Sequence, residues 1–297
     1  MDQFFVMDVG GSHIKYALMT ADEIIEKGEV PTPVDNSIHF VQALVELARK
    51  YENQVKGIAL SVPGRIDTAK GLMHTGGYLS FIEDFPLVDI LKQQIPLKIS
   101  IENDGKCAAL GERWKGSLVG VENGMVVVLG TGIGGGILVN GKLLKGQNFG
   151  AGELSWLPIS MVEMGKDEPF LWAHLCGTMG LTEVYEKEKN LPHQSMSGKD
   201  FFKLVNAGDP TSLKILDQFA KSFAIGVIGI QAVLDTEVIA IGGGISAQPI
   251  LIEYLKKAVD DLYGQYEKMP IGKPKIVRCT FANDANLYGA LYHHLYE

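Results

Sequence analysis

The stretch FFVMDVGGSHIKYALM, residues 4–19, reads as strand, acid, two glycines and strand again. Its first half is nearly all apolar, the pattern of a strand buried on both faces. Gly10-Gly11 is short enough to turn the chain straight back into HIKYALM, so a hairpin is expected, ending in a lone carboxylate, Asp8. EIIEKGEV, residues 23–30, supplies a third strand. A helical pattern over about 37–51 follows, then a strand VKGIALS, a short helix PLVDILKQQ, a strand LKISIE and a helix opening at Asp104.

The same order begins again near Glu122. GMVVVLGTGIGGGILVNGKLL is strand, glycine turn and strand, with Asn140-Gly141 as a two-residue hairpin signal before a third strand. A long helix over about 211–234, the strand EVIAIGGG, a helix over about 250–263, the strand KIVRCTF and a last helix ANLYGALYHHLY complete the chain. Repetition of a whole βββαβα unit argues for two mixed α/β domains facing each other across a cleft. The stretch between Met161 and Gly198 reads least clearly, as one or two short helices.

With 46% hydrophobic residues over 297 positions the chain has ample core for such an arrangement, and 27 basic against 35 acidic residues leave a net charge of −8. That sign disfavours nucleic acid and anionic membrane as partners. A polyanionic ligand would have to be held by backbone N–H groups and a metal ion. The three cysteines, Cys107, Cys176 and Cys279, are odd in number and widely spaced, which fits a reducing, cytoplasmic setting rather than a disulfide framework. No secretory leader is read at the start and no membrane span anywhere.

Gly10-Gly11-Ser12 and Gly130-Thr131-Gly132 each lead from a strand into a strand, unlike the strand–loop–helix phosphate binders. One such turn is ordinary hairpin chemistry. Two, each heading a repeat, favour a phosphate clamp in which glycine allows close approach and Ser12 and Thr131 add hydroxyl donors. A third turn, Gly242-Gly243-Gly244, ends a late strand and suits either an adenosine contact or a plain strand-to-helix connection. Asp8 is either a strand-end acid satisfied by turn N–H groups or a water-mediated Mg²⁺ ligand. Asp104, where a buried strand becomes a helix, is suited to be the N-cap, and equally to be a general base for a hydroxyl beside Asn103.

Taken together, DVGGSHIK, VPG, ENDGKCAALGE, GTGIGGG, GAGELSW and GGGIS resemble the ROK family of sugar kinases and repressors, in order and along nearly the whole chain. The resemblance implies a duplicated actin/hexokinase-like (ribonuclease H-like) α/β fold. A smaller domain of residues 1–117 plus about 284–297 and a larger one of 118–283 are then expected. It also implies ATP and Mg²⁺ as cofactors, a small-molecule sugar as partner and a homodimer. By position, Asp8, Gly10, Gly11 and Ser12 correspond to one phosphate loop, and Gly130, Thr131, Gly132 and Gly134 to the other. Gly243 and Gly244 correspond to the nucleoside loop. Asn103, Glu153 and Glu183 would bind sugar, and Asp104 would be the base acting on the 6-hydroxyl. His74, in the loop GLMHTGGYLSF, is a further specificity candidate by the same resemblance.

Two departures bear on the substrate. Many family members carry a zinc site of one His and three Cys; here Trp156 takes the His position, His174 and Leu181 take two of the Cys positions, and only Cys176 remains. No structural zinc is expected. Trp156 either stacks on a pyranose, admitting a β-glucoside or β-linked disaccharide such as cellobiose, or fills the volume of the lost metal site with glucose still the substrate. The second departure is Lys106, in NDGK, where the family commonly has N-D-A-N. An ATP:sugar 6-phosphotransferase is therefore expected, with glucokinase or N-acetylmannosamine kinase as the alternative. A sugar-responsive repressor would need a helix-turn-helix ahead of the first strand. A sugar-independent actin- or Hsp70-like ATPase is the remaining class.

Overall fold

The computed structural model describes residues 1–160, 170–266 and 268–297; the first nine residues of the poorly legible stretch after Ser160 lie outside them. The opening stretch forms β1 (Phe4–Val9) and β2 (His13–Met19), followed by β3 (Ile24–Pro31), α1 (Ser37–Arg49) and β4 (Gly57–Val62). Three short strands come next, β5 (Ile66–Asp67), β6 (Leu72–Thr75) and β7 (Glu83–Phe85), then α2 (Leu87–Lys92), β8 (Lys98–Asn103) and α3 (Asp104–Lys115).

The second series runs β9 (Gly124–Leu129), β10 (Ile133–Val139), β11 (Lys142–Leu143), β12 (Pro158–Ser160), β13 (Phe170–Leu171), α4 (Trp172–Cys176) and α5 (Thr178–Glu188). It continues with α6 (Gly198–Asn206), α7 (Pro210–Leu234), β14 (Val238–Gly242), α8 (Pro249–Gly264) and β15 (Lys275–Arg278), and α9 (Ala285–Tyr296) closes the chain.

Two compact units result. One comprises Met1–Gly116, Lys145–Ala151 and Asp284–Glu297; the other comprises Ser117–Leu144 and Gly152–Asn283. Their main sheets have the orders β3-β2-β1-β4-β8 and β11-β10-β9-β14-β15. In each, three strands form an antiparallel meander, and two more lie parallel to the first strand. The repetition read from the sequence is thus a repetition of topology, and the α/β class with mixed sheets is as expected.

In the first unit β1 feeds two cores because successive side chains alternate across the sheet. Phe5, Met7 and Val9 pack with residues of α1 and α2, while Phe4 and Val6 pack with Leu287, Ala290 and Leu291 of α9 and Cys107 of α3. The helices on that second face cross closely at small residues. A Cβ on Gly289 would lie 1.7 Å from the Cys107 carbonyl oxygen, so only glycine fits there. In the second unit Met125, Val127 and Leu129 of β9 join Leu216, Phe219 and Phe223 of α7 in one core. α7 starts where Asp209 caps it, the carboxylate accepting from the Ser212 N–H at 2.7 Å with proline at the first position, and stops at Asp235 in the left-handed conformation (φ 47°).

The structure departs from the sequence reading in several places. The three-stranded sheet β5-β6-β7 was not foreseen, because strands of two to four residues carry too little alternation to register. His74 stands in β6 rather than in a loop. His293 and His294, which a terminal helix suggests are surface or interface residues, are both buried. His294 Nδ1 lies 2.8 Å from Ser100 Oγ, and its ring meets Phe4 edge-on.

Burial, together with the charges of Lys98 and His293, lowers His294 to about 4. In the unfolded chain the imidazole titrates near 6.5. The unfolded state therefore takes up a proton first as pH falls, and the stability contributed by neutral His294 is complete above about 6.5 and lost toward 4. We expect the melting temperature to drop across that window, and the drop to flatten in His294→Leu; an equally steep profile in the variant would contradict this.

Candidate active site

Register places the first unit's acids together. Asp8 pairs with Ser61, and Ser61 pairs with Glu102, across three parallel strands. The turns that follow β1 and β8 therefore leave from the same edge of the sheet, the carboxyl-terminal edge where α/β sheets bind ligands. Asp8 is buried, and its Oδ1 accepts hydrogen bonds from Ser61 Oγ at 2.7 Å and Asn286 Nδ2 at 2.9 Å. Burial pushes its carboxyl above the ordinary value, against the opposing effects of those two bonds and of Lys15.

Gly10, Gly11 and Ser12 form the hairpin turn, closed by the Gly10 N–H donating to His13 O at 3.0 Å; Gly11 and Ser12 are exposed. Thr32 Oγ1 donates to Gly10 O at 2.6 Å and fixes the turn from β3's side.

The helix cap differs by one residue from expectation. Asn103, extended at φ −63°, ψ 143°, is the N-cap of α3, its Oδ1 accepting from the Lys106 N–H at 3.0 Å. Asp104 is the first helical residue, half-buried. Its Oδ1 accepts from Gly105 N–H at 2.8 Å and from Asn103 Nδ2 at 3.0 Å. Asn103 Nδ2 also donates to Gly64 O at 2.9 Å, so both amide hydrogens hold local structure. The cap shifts because asparagine caps while its amide still braces the acid beside it, which aspartate at 103 would not do.

Sequence reasoning missed Tyr78. Its ring packs 3.8 Å from where a Gly11 Cβ would be, and its hydroxyl donates to Val9 O at 3.0 Å. Burial raises its pKa, and the charges of Asp104 and Asp8 add to the shift, so the phenol stays neutral beside both acids. The only signal in the sequence was the glycine pair just before it.

In the second unit the same logic joins the other two glycine turns. Gly242 of β14 pairs with Val128 of β9. Gly243, at φ +86°, packs so tightly that a Cβ would lie 2.2 Å from Leu129 O, immediately before Gly130. Gly244 is exposed. Gly130 N–H donates to Gly132 O at 3.0 Å, Thr131 is exposed, and the first N–H of α5, on Thr178, donates to Gly130 O at 2.8 Å. Gly130, Thr131, Gly132, Gly243 and Gly244 are thus neighbours. Gly134 is not part of that turn; it lies within β10, paired with Val128.

Gly135 of β10 makes room for a 3₁₀ turn, Leu154–Trp156, since a Cβ there would lie 2.4 Å from Leu154 Cδ1. Half-buried Glu153 precedes that turn, and Trp156 ends it with 71% of its surface exposed. So open a ring fills no interior volume. Glu183 is half-buried on α5, a different element. Glu186, one turn on, is structural: its carboxylate accepts from the N–H groups of Gln194 and Met196 at 2.9 and 2.8 Å. His174 is exposed whereas Cys176 is buried against Phe219 O at 3.7 Å, its thiol pushed up by burial, so the two do not share a direction.

Two α/β units of this topology define the actin/hexokinase-like class. The chain belongs to the ROK family, whose sequence profile matches residues 5–295. It is 31% identical to a glucokinase of Halalkalibacterium halodurans, over 97% of this chain and 94% of that protein. It is 28% identical to a beta-glucoside kinase of Klebsiella pneumoniae, over 96% and 94%. A ROK family protein from Streptococcus pneumoniae TIGR4, solved in complex with sucrose, matches with a TM-score of 0.86 at 30% identity, over 99% of this chain and 98% of that one. The Halalkalibacterium and Klebsiella relatives are sugar kinases. Among the described residues no helix is long and apolar enough to cross a membrane.

Proposed function

We propose that this chain is an ATP-dependent kinase that phosphorylates the 6-hydroxyl of a β-glucoside or β-linked disaccharide such as cellobiose. The observation that carries the chemistry is Asp104, a carboxylate braced by Asn103 and Gly105 on the same sheet edge as Asp8. In this reading Asp104 accepts the proton of the 6-hydroxyl as the sugar oxygen attacks the γ-phosphorus and ADP leaves, a reaction dominated by positioning and charge neutralisation.

The turn at Gly10, Gly11 and Ser12 in the first unit, and that at Gly130, Thr131 and Gly132 in the second, offer N–H and hydroxyl donors to phosphate oxygens. Gly243 and Gly244 would meet the nucleoside. Asp8 fits Mg²⁺: it is a hard oxygen donor whose two hydrogen bonds both fall on Oδ1, and whose carboxyl, raised by burial, a nearby cation would lower again. When bound, the ion would neutralise the triphosphate that the chain's net charge of −8 repels. Asn103 would orient Asp104 and offer its remaining Oδ1 lone pair to a sugar hydroxyl, with Glu153 and Glu183 binding other hydroxyls.

The exposed Trp156 beside Glu153 supports a substituted anomeric position, because a flat apolar face is available there for a second ring. The beta-glucoside kinase relative points the same way, and the sucrose complex of the Streptococcus protein supports a substituted anomeric position without bearing on its β configuration. The 31% identical glucokinase supports the alternative of plain glucose. Initial-rate ADP formation with Mg·ATP on glucose, N-acetylmannosamine, cellobiose and gentiobiose separates them. A β-linked disaccharide is expected to give the highest kcat/KM; glucose giving it would remove the glucoside assignment, and ADP without any sugar would restore the ATPase class.

Trp156→Ala is expected to raise KM for cellobiose about tenfold, equivalent to about 1.4 kcal/mol, with glucose affected less. Equal effects on both sugars would sink the stacking role. The same reading places the enzyme in the cytoplasm, where ATP is, as a homodimer, which light scattering of the purified chain checks.

A further inference from the structure

Residues 145–151 cross into the first unit as a strap between two stretches of the second. The strap is moored on both sides of the Asn103–Asp104 pair. Lys145 Nζ lies 3.0 Å from Glu102 Oε2 and 3.6 Å from Glu297 Oε2, and donates to Thr68 Oγ1 at 3.1 Å. Glu102, His293 and Glu297 lie close enough to suggest a metal, but the Lys145 ammonium already lies against both carboxylates.

On the other side Lys106 is only 2% exposed, and its ammonium donates to Phe149 O at 3.1 Å. A buried ammonium is costly unless its hydrogen bonds compensate it, and here the bond to Phe149 O does so. What it holds is a strained residue: Phe149 adopts φ +59°, a left-handed conformation that a bulky side chain rarely takes.

A second tether reaches the Phe149 ring independently. Asn103 Nδ2 holds Gly64 O, the adjacent Arg65 O accepts from the His74 N–H at 2.8 Å, and Arg65 N–H donates to Thr75 Oγ1 at 3.1 Å. His74 then stacks on Phe149, ring centroids 5.7 Å apart and 20° from parallel, its Nδ1 2.6 Å from Asp84 Oδ1. Both tethers start within the Asn103–Lys106 turn, so the half-buried ring pair is carried by the same four residues that present Asp104.

We propose that Phe149 is a substrate-binding residue of the sugar site, its ring packing on the apolar C–H face of the pyranose that is phosphorylated, with Lys106 as the positioning residue that moors it. The proposal rests on the sugar-kinase reading. A carboxylate with neighbouring hydrogen-bonding groups and an aromatic pair tethered to the same turn is the composition of a small-ligand site, and the positive-φ strain is retained because it turns the Phe149 carbonyl to Lys106. Phe149 contacts the reacting ring itself, unlike Trp156, which is assigned to the anomeric substituent. Its loss should therefore be felt by monosaccharide and disaccharide alike.

The test is steady-state kinetics of Phe149→Ala, Phe149→Leu, Phe149→Tyr and Lys106→Met against wild type, varying glucose, cellobiose and ATP separately. Phe149→Ala and Phe149→Leu are expected to raise KM for both sugars about tenfold, with kcat falling no more than about threefold and KM for ATP unmoved. Phe149→Tyr keeps the ring and should stay within about twofold of wild type, while Lys106→Met should reproduce the rise in sugar KM with the ring still present. Unchanged sugar KM in Phe149→Ala, an equal rise in KM for ATP, or wild-type behaviour of Phe149→Leu would each overturn the proposal. Wild type without sugar-dependent turnover would instead overturn the kinase reading, and this inference with it, before any variant is made.

Discussion

Asp104→Asn is expected to lower kcat by about 10²–10⁴-fold, the usual contribution of a general base. Asparagine keeps an oxygen for the Gly105 N–H and for Asn103 Nδ2, so the bracing that sets the side chain survives. What it loses is the capacity to take a proton. The melting temperature and the KM for ATP should stay near wild type, which separates a chemical defect from a folding one. A variant that turned over within tenfold of wild type would remove Asp104 from the reaction and leave Asn103–Asp104 as a helix start only.

Gly243→Ala is expected to have the second largest effect, on nucleotide binding and stability together. A Cβ at φ +86° is strained by itself, and here it would lie 2.2 Å from Leu129 O, with the Leu129 nitrogen and carbonyl carbon within 2.7 Å. Backbone, not a mobile side-chain end, must give way, and that backbone leads directly into Gly130. The cost should be about 3 kcal/mol, at the upper end for single substitutions. KM for ATP should rise more than about tenfold because the two glycine turns are displaced together. Thermal denaturation and ATP titration read the two effects; an alanine variant with native stability and native KM for ATP would show that the two turns are not coupled.

How far the sequence could be read follows from what each residue depends on. The duplicated βββαβα order was visible because strand, glycine turn and strand are local patterns, and both sheets realise them with the same order and sense. Asp104 stood out for similar local reasons, although the cap falls one residue earlier than expected, on Asn103: both can cap, and the choice depends on Gly64, thirty-nine positions away. Trp156 stood out by its position in GAGELSW, but its exposure follows from Gly135 under Leu154, a packing fact between a strand and a separate turn.

The strap was not visible at all. GQNFG reads as a polar turn, and nothing local shows that Lys106, on a helix, is buried to hold Phe149. Charge at a helical position ordinarily means a solvated face. Tyr78 and the buried His293 and His294 were missed for the same reason, since their surroundings come from distant segments.

The measurement that tests the central claim most directly is the identity of the product formed by the wild-type chain from Mg·ATP and cellobiose or glucose, read by phosphorus and carbon NMR beside ADP release. The account predicts one sugar phosphate per ADP, esterified at the 6-position and absent with Asp104→Asn. ADP released without a sugar phosphate, or phosphate carried at another hydroxyl, would contradict it.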